Sequence, residues 1–310
     1  MKISPGQIYD YLDERIVGQD EAKKSVSTAM FLHVLRLLEQ EKENTPIKKH
    51  NLLLMGPTGC GKTYLTHLAC EAVQQILGYD ICPMLELDCT ELTSAGWAGQ
   101  DFSKCIEDHY KEMGDTLKFR STVVFLDEFD KLASPAIGRE GTDHNRNTQY
   151  NLLKGIEGAF FAPGQRAPTH DMLFILAGNF AEVRADRVAR VKPSMGFRDP
   201  ETKGGVPEEQ ISFIQELDKA GVATQIVGRL SDVAELTSLN KAELTDVFHR
   251  FVLPDYHEMF TASGKYLQLT SDDESTIIET CINNKTGARG LQAALSTTIK
   301  DQLFELSINV

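Results

Sequence analysis

The chain is 310 residues long, 41% hydrophobic and 25% charged, with a formal net charge of −13; it is large enough to bury a core without disulfide or metal staples, and it suits two domains or one domain with an appendage. The acidic excess serves solubility and argues against nonspecific nucleic-acid binding, which runs on Lys/Arg–phosphate contacts. Six cysteines with no CxxC pair and no zinc-spaced histidines point to a reducing compartment, hence the cytoplasm, while MKISPGQIYD lacks a signal-peptide apolar stretch and no apolar run reaches membrane-spanning length.

Ser4-Pro5-Gly6-Gln7 predicts a helix start, with Ser4 as cap, Pro5 at the first position and Gln7 closing a capping box. IVGQDEAKK (16–24) leads into a helix with Ala22, Val26, Ala29, Met30, His33 and Leu37 on one side, and EKENTPIKKH (41–50) reads as a polar linker. Four short apolar runs follow: NLLLMG (51–56), MLELDC (84–89), TVVFLDE (122–128) and MLFILAGN (172–179). Continuous and bounded by turn or charge signals, they read as buried parallel strands, with VAELTSL (233–239) as a candidate fifth. After the first run, Leu65, Leu68, Ala69, Ala72, Val73, Ile76 and Leu77 trace one face of an amphipathic helix. Strands alternating with helices imply an α/β fold with a doubly wound parallel sheet. The stretch from about 184 to 221, rich in Gly, Pro and charge, reads as a long loop. Beyond Leu239 the texture changes. A capping box at Ser271–Glu274 and a last helix carrying Leu291, Leu295, Ile299 and Leu303 at i+4 steps predict a small, mostly helical domain. The expected division is 1–239 and 240–310.

GPTGCGKT, that is Gly56-Pro57-Thr58-Gly59-Cys60-Gly61-Lys62-Thr63, fits G-x-x-x-x-G-K-[ST] between an apolar strand and an amphipathic helix, with Tyr64 next in the chain. In that context the glycines let backbone N–H groups wrap phosphates, Lys62 reaches the β/γ-phosphates of ATP and Thr63 ligates Mg²⁺. VVFLDEFD (123–130) ends an apolar strand in two acids. Asp127 is expected to hold Mg²⁺ through its shell and Glu128 to polarise the attacking water; the alternative is an ordinary acidic helix start. Asp130 reads as a surface or capping acid. LFILAGN ends in Asn179, which either positions water or the γ-phosphate or simply forms a turn.

The phosphate loop, acid pair, strand-end Asn, VGRL (227–230) and GARGL (287–291) follow one another in the order found in AAA+ P-loop ATPases, which this chain resembles over about residues 8–306. It is most similar to the ClpX unfoldases and the related HslU group, since IVGQDEAKK matches their adenine-side motif, AGWAGQD (95–101) resembles the segment AGYVGED, and KTGARGL matches the start of a small-domain helix. The resemblance implies a homo-hexameric ring with ATP sites at the interfaces. It places Ile16 and Val17 near the base, makes Arg229 an arginine finger reaching a neighbour's γ-phosphate, and makes Arg289 a sensor contacting nucleotide from its own small domain. Without those motifs, either arginine reads as a surface ion pair.

Trp97, the only tryptophan, stands in the stretch Gly96-Trp97-Ala98-Gly99, where no apolar periodicity supplies it with a local core. The resemblance makes this a loop pointing into the axial channel, with Trp97 gripping unfolded or tagged polypeptide through apolar area. Met195-Gly196-Phe197 falls where ClpX carries its docking tripeptide, which implies a ClpP-like ring peptidase as partner. Three features depart from the family. The chain starts almost directly at the ATPase module, so adaptor binding through an N-terminal zinc-binding domain is not expected. Trp-Ala replaces Tyr-Val in the grip loop. GQRAPTHD (164–171) is shorter than the basic channel-entrance loop and lacks its Arg-Lys-His run, so the usual degradation tags are not implied. Two alternatives are a stand-alone remodelling ATPase without a peptidase and a DNA-acting AAA+ ATPase, the latter opposed by the acidic charge and the scarcity of Lys/Arg around 90–110.

Overall fold

The computed structural model describes residues 3–39, 47–92, 101–114, 116–138, 140–161, 167–185 and 215–306. Helix α1 (Pro5–Asp13) opens with Pro5 at its start and the Ser4 hydroxyl accepting the Gln7 N–H at 3.3 Å, but the expected capping box is not closed, since Gln7 Oε1 accepts the Ser4 hydroxyl at 3.2 Å and not the Ser4 backbone N–H. Helix α2 (Asp20–Glu39) buries the expected row from Ala22 to Leu37. His33 is part of it: its Nε2 lies 2.8 Å from the Ser121 carbonyl oxygen, and burial pushes its pKa down to about 4, so it is a neutral core residue.

Strands β1 (Asn51–Met55), β2 (Met84–Asp88), β3 (Val123–Asp127), β6 (Leu173–Gly178) and β7 (Leu230–Glu235) form one parallel sheet in the order β2-β3-β6-β1-β7. A two-residue ladder, β4 (Phe160–Phe161) with β5 (Ala167–Pro168), stands apart. Apart from Asn51 at the start of β1 and Asp127 at the end of β3, the three central strands carry no polar side chain, because both faces are covered. Leu52, Leu54, Val123, Phe125 and Ile175 pack with α1, α2 and α3 (Lys62–Leu77). The alternate residues Leu53, Met55, Val124, Leu126, Phe174 and Leu176 pack with the other layer. That layer holds α4 (Phe102–Met113), α5 (Leu117–Arg120), α6 (Phe129–Ala133) and α7 (His144–Glu157). Such a sheet collects ligands outside the carboxyl ends of its strands.

The fifth strand lies three residues earlier than the run 233–239 suggests. Its last ladder-like bond runs from the Leu236 N–H to the Met55 carbonyl at 2.7 Å. Thr237 is then taken by Gln19, whose amide bonds its carbonyl at 2.8 Å and its N–H at 3.0 Å. The long stretch 184–221 is entered from a helical segment at 181–185, and residues 215–219 near its end are helical.

A third apolar cluster gathers Leu244, Phe248, Val252, Phe260, Ile277, Cys281, Leu291 and Leu295. Its helices are α9 (Lys241–Val247), α10 (Leu253–Ala262), α11 (Ser271–Asn283), α12 (Arg289–Thr298) and α13 (Lys300–Phe304), with α8 (Thr224–Val227) preceding β7. Between α9 and α10, residues Phe248–Val252 widen into a π turn just before Pro254, which has no N–H to give and would collide with a regular turn. The capping box of α11 is Thr270 with Asp273, one residue before the expected Ser271–Glu274 pair. The last helix breaks at Ile299 (φ −100°, ψ 19°), so Leu303 belongs to the separate turn α13.

Candidate nucleotide site

The loop from Gly56 to Gly61 joins the end of β1 to the start of α3. Gly61 caps α3 in the left-handed region (φ 98°) with no side-chain bond, so the first N–H groups of α3 are left for an anion. Lys62 Nζ donates to the carbonyls of Gly56 (2.8 Å) and Pro57 (3.1 Å), which holds the ammonium inside the loop. Cys60 is buried at the back of the loop, and burial pushes its thiol up, so it is a neutral packing group.

At the end of β3, the two oxygens of Asp127 are divided between two donors. Oδ1 accepts the Glu128 N–H at 2.8 Å and Oδ2 accepts the Thr63 hydroxyl at 3.1 Å. Glu128 is exposed and adopts φ 50°, an unusual backbone state for a non-glycine residue that turns its carboxylate off the strand end into the cleft. The Thr63 hydroxyl and Asp127 carboxylate are hard oxygen donors side by side, a set that fits Mg²⁺.

These groups line a cleft of about 540 Å³ together with Thr58, Gly59, Tyr64, Asn179 and Arg289. Asp130 lines it too, against its reading as a surface or capping acid. Its side chain is only 17% exposed, and it sits so close to Gly178 that a side chain there would meet Asp130 Oδ1 at 2.9 Å. Sequence gives no sign that α6 folds Asp130 back under β6. Gln292, one turn beyond Arg289, is a second lining residue that spacing alone did not reveal.

Next to the cleft lies an apolar hollow of about 170 Å³. Ile16 and Val17 line it, as the resemblance implies, but so do Leu236, Leu239, Val247 and Phe251, which no motif marks. The two hollows share Gly59, Gly61, Tyr64 and Ala288 as walls, so the cleft and the apolar pocket lie side by side. Tyr64, 54% exposed, stands at their junction. The third cluster closes directly on the phosphate loop: a side chain at Gly59 (φ 80°) would meet the Thr286 carbonyl at 2.9 Å, and one at Gly287 would meet the Gly59 carbonyl at 3.0 Å.

Arg229 does not join this assembly. It precedes β7 at the opposite end of the sheet, half exposed, with its Nη2 on Glu157 Oε1 at 2.8 Å. Gly96, Trp97, Ala98 and Gly99, and likewise Met195, Gly196 and Phe197, lie outside the described residues.

Comparison with known proteins matches residues 52–195 to the ATPase family associated with various cellular activities (AAA). The chain is 30% identical to the ATP-dependent Clp protease ATP-binding subunit ClpX of Borrelia duttonii, over 98% of this chain and 74% of that protein. It is 28% identical to the protein of the same description from Porphyromonas gingivalis, over 97% of this chain and 77% of that one.

Proposed function

The chain belongs to the ClpX family of AAA ATPases, and on that premise we propose that it unfolds other proteins by threading them through a six-membered ring of its own copies, driven by ATP. The observation that carries this reading is the adjacent pair of hollows, which share four wall residues. The apolar pocket suits the adenine base, and the polar cleft, with a helix N-terminus, Lys62, two strand-end acids and Arg289, suits a triphosphate. Thr63 and Asp127 would hold Mg²⁺, which when bound neutralises charge on the phosphates. Lys62 binds the β/γ-phosphates, Glu128 orients the attacking water and takes its proton, and Asn179 directs its amide at the γ-phosphate. Arg289 contacts the nucleotide from its own small domain, whose boundary we place at 239/240.

Among the described residues no helix is long and apolar enough to cross a membrane, and the reducing-compartment cysteine pattern supports a cytoplasmic site of action. Trp97 supports threading, because a switch that does not thread has no use for the chain's one tryptophan between glycines. The test is loss of fluorescence from a tagged fluorescent protein, with hydrolysis followed in parallel. The wild-type ring is expected to quench it only with ATP. Trp97→Ala is expected to abolish unfolding while keeping most of the ATPase rate. Unfolding that survives Trp97→Ala would return Trp97 to a packing role and leave the threading reading without its grip.

We also propose a ClpP-like ring peptidase as partner, docked through Met195-Gly196-Phe197. One Met and one Phe in an apolar cleft contribute only about 2–5 kcal/mol, but six loops docking at once gain through effective concentration. Phe197→Ser is expected to abolish peptidase binding and to spare both hydrolysis and unfolding. If the wild-type ring with ATP binds no such peptidase from its own organism, a stand-alone remodeller replaces this part of the reading.

A further inference from the structure

A γ-phosphate needs a donor, and an asparagine side chain offers a donor at one end and an acceptor at the other. Rotated by half a turn, the Asn179 amide would set its carbonyl oxygen against a phosphate oxygen and repel it. Something must therefore fix which end faces the cleft.

Arg184 meets the Asn179 carbonyl oxygen. Its Nη1 donates to Asn179 Oδ1 at 3.4 Å, so Oδ1 is engaged from behind and Nδ2 is the end left for the cleft. The guanidinium is itself held, because its Nε donates to Glu235 Oε1 at 2.8 Å, a charge-assisted bond to the last residue of β7. The backbone brings the two residues together. Phe180 takes φ 45° and buries its ring against Gly178, and its carbonyl accepts the Arg184 N–H at 3.0 Å, which turns the chain back toward Asn179. Only an arginine has two donors on a rigid fork that can span an amide on β6 and a carboxylate on β7. The charge also reaches the phosphate loop, since Arg184 is among the influences that oppose the effect of burial on the Cys60 thiol.

We propose that Arg184 is a positioning residue for ATP hydrolysis: anchored by Glu235, it sets the polarity of the Asn179 amide so that Nδ2 faces the γ-phosphate. This rests on the reading that Asn179 meets that phosphate.

The experiment compares Arg184→Met, Arg184→Lys, Glu235→Gln, Asn179→Ala and Asn179→Asp in the full-length ring. It measures kcat, KM for ATP, and the affinities for ADP and for a non-hydrolysable ATP analogue. Arg184→Met is expected to lower kcat about tenfold, the size of one lost bond to a charged group, and to weaken the analogue while leaving ADP, which has no γ-phosphate, unchanged. Glu235→Gln is expected to give a smaller loss of the same kind. Lysine keeps the charge but not the fork, so Arg184→Lys should recover only part of the rate. Asn179→Asp keeps an acceptor for Arg184 but turns an oxygen, not an amide donor, toward the phosphate, and should be at least as impaired as Asn179→Ala. The double variant Arg184→Met/Asn179→Ala should be no worse than Asn179→Ala alone, since both remove the same interaction. A purely structural role would instead weaken ADP and the analogue together. If Asn179→Ala is impaired while Arg184→Met, Arg184→Lys and Glu235→Gln all keep wild-type kcat, the inference is wrong and the site reading stands. If Asn179→Ala hydrolyses normally, the reading of Asn179 itself fails. Should Arg184→Met prove unstable, Glu235→Gln and Arg184→Lys decide the question with the guanidinium or its charge kept.

Discussion

Glu128→Gln is expected to bind ATP as tightly as the wild type and to lose turnover by about 10²–10⁴-fold, the range for removing a positioned base. The substitution keeps shape and removes only the proton acceptor. Its surroundings give no reason for binding to suffer. The side chain is exposed, and the only bond holding the residue to Asp127 is made by its backbone N–H, which glutamine retains. The left-handed backbone at Glu128 aims the side chain through the main chain, so the amide will occupy the place of the carboxylate. Lys62→Ala is expected to do the reverse and weaken nucleotide binding itself, because the ammonium is held within the phosphate loop by the Gly56 and Pro57 carbonyls. Equilibrium nucleotide binding and steady-state phosphate release separate the two. Normal hydrolysis by Glu128→Gln would refute the role given to Glu128.

How much of this was legible in the residues depends on how local each feature is. The placement of residues 56–61 as a loop between a strand and a helix is readable, because it is set by a short consecutive stretch of chain. The central strands are readable because burial on both faces makes their interiors continuous apolar runs. The edge strand β7 was displaced because its residues are only partly buried: Ser231 is exposed and Ala234 alone is fully buried, so no run of apolar residues marks its start. The cap of α11 slipped by one because Thr270 and Ser271 can both cap and Asp273 and Glu274 can both close the box. The apolar pocket was mostly unreadable. Its wall is assembled from Arg15–Gln19, the phosphate loop, Leu236, Leu239, Val247 and Phe251, and only folding brings these together. The position of Asp130 is hidden from sequence for the same reason, since it packs beside Gly178, 48 residues away.

Arg229→Ala is expected to leave nucleotide binding nearly unchanged and to lower hydrolysis by about 10³–10⁵-fold, the range for loss of an arginine finger. In the fold, such an effect would have to cross a subunit boundary. Arg229 stands at the start of β7, beside Asn51 at the start of β1, and Asn51 Nδ2 donates to the Arg229 carbonyl at 3.1 Å. The phosphate loop begins where β1 ends, five residues further on, or about 16 Å at strand spacing. An arginine side chain cannot cover that distance, so Arg229 has no route to the cleft of its own chain. The exposed pair with Glu157 is of the kind that contributes little to stability, so the guanidinium can leave it for a stronger anion. On the proposed reading, a neighbour's γ-phosphate would be such an anion. Mixing supplies the decisive measurement. Rings of Arg229→Ala alone and of Glu128→Gln alone should both be inactive, but mixed rings contain interfaces where an intact Glu128 faces an intact Arg229. Hydrolysis should therefore reappear on mixing and peak at intermediate ratios. If subunits exchange, as shown by co-purification of differently tagged chains, and no activity returns at any ratio, Arg229 does not act in trans.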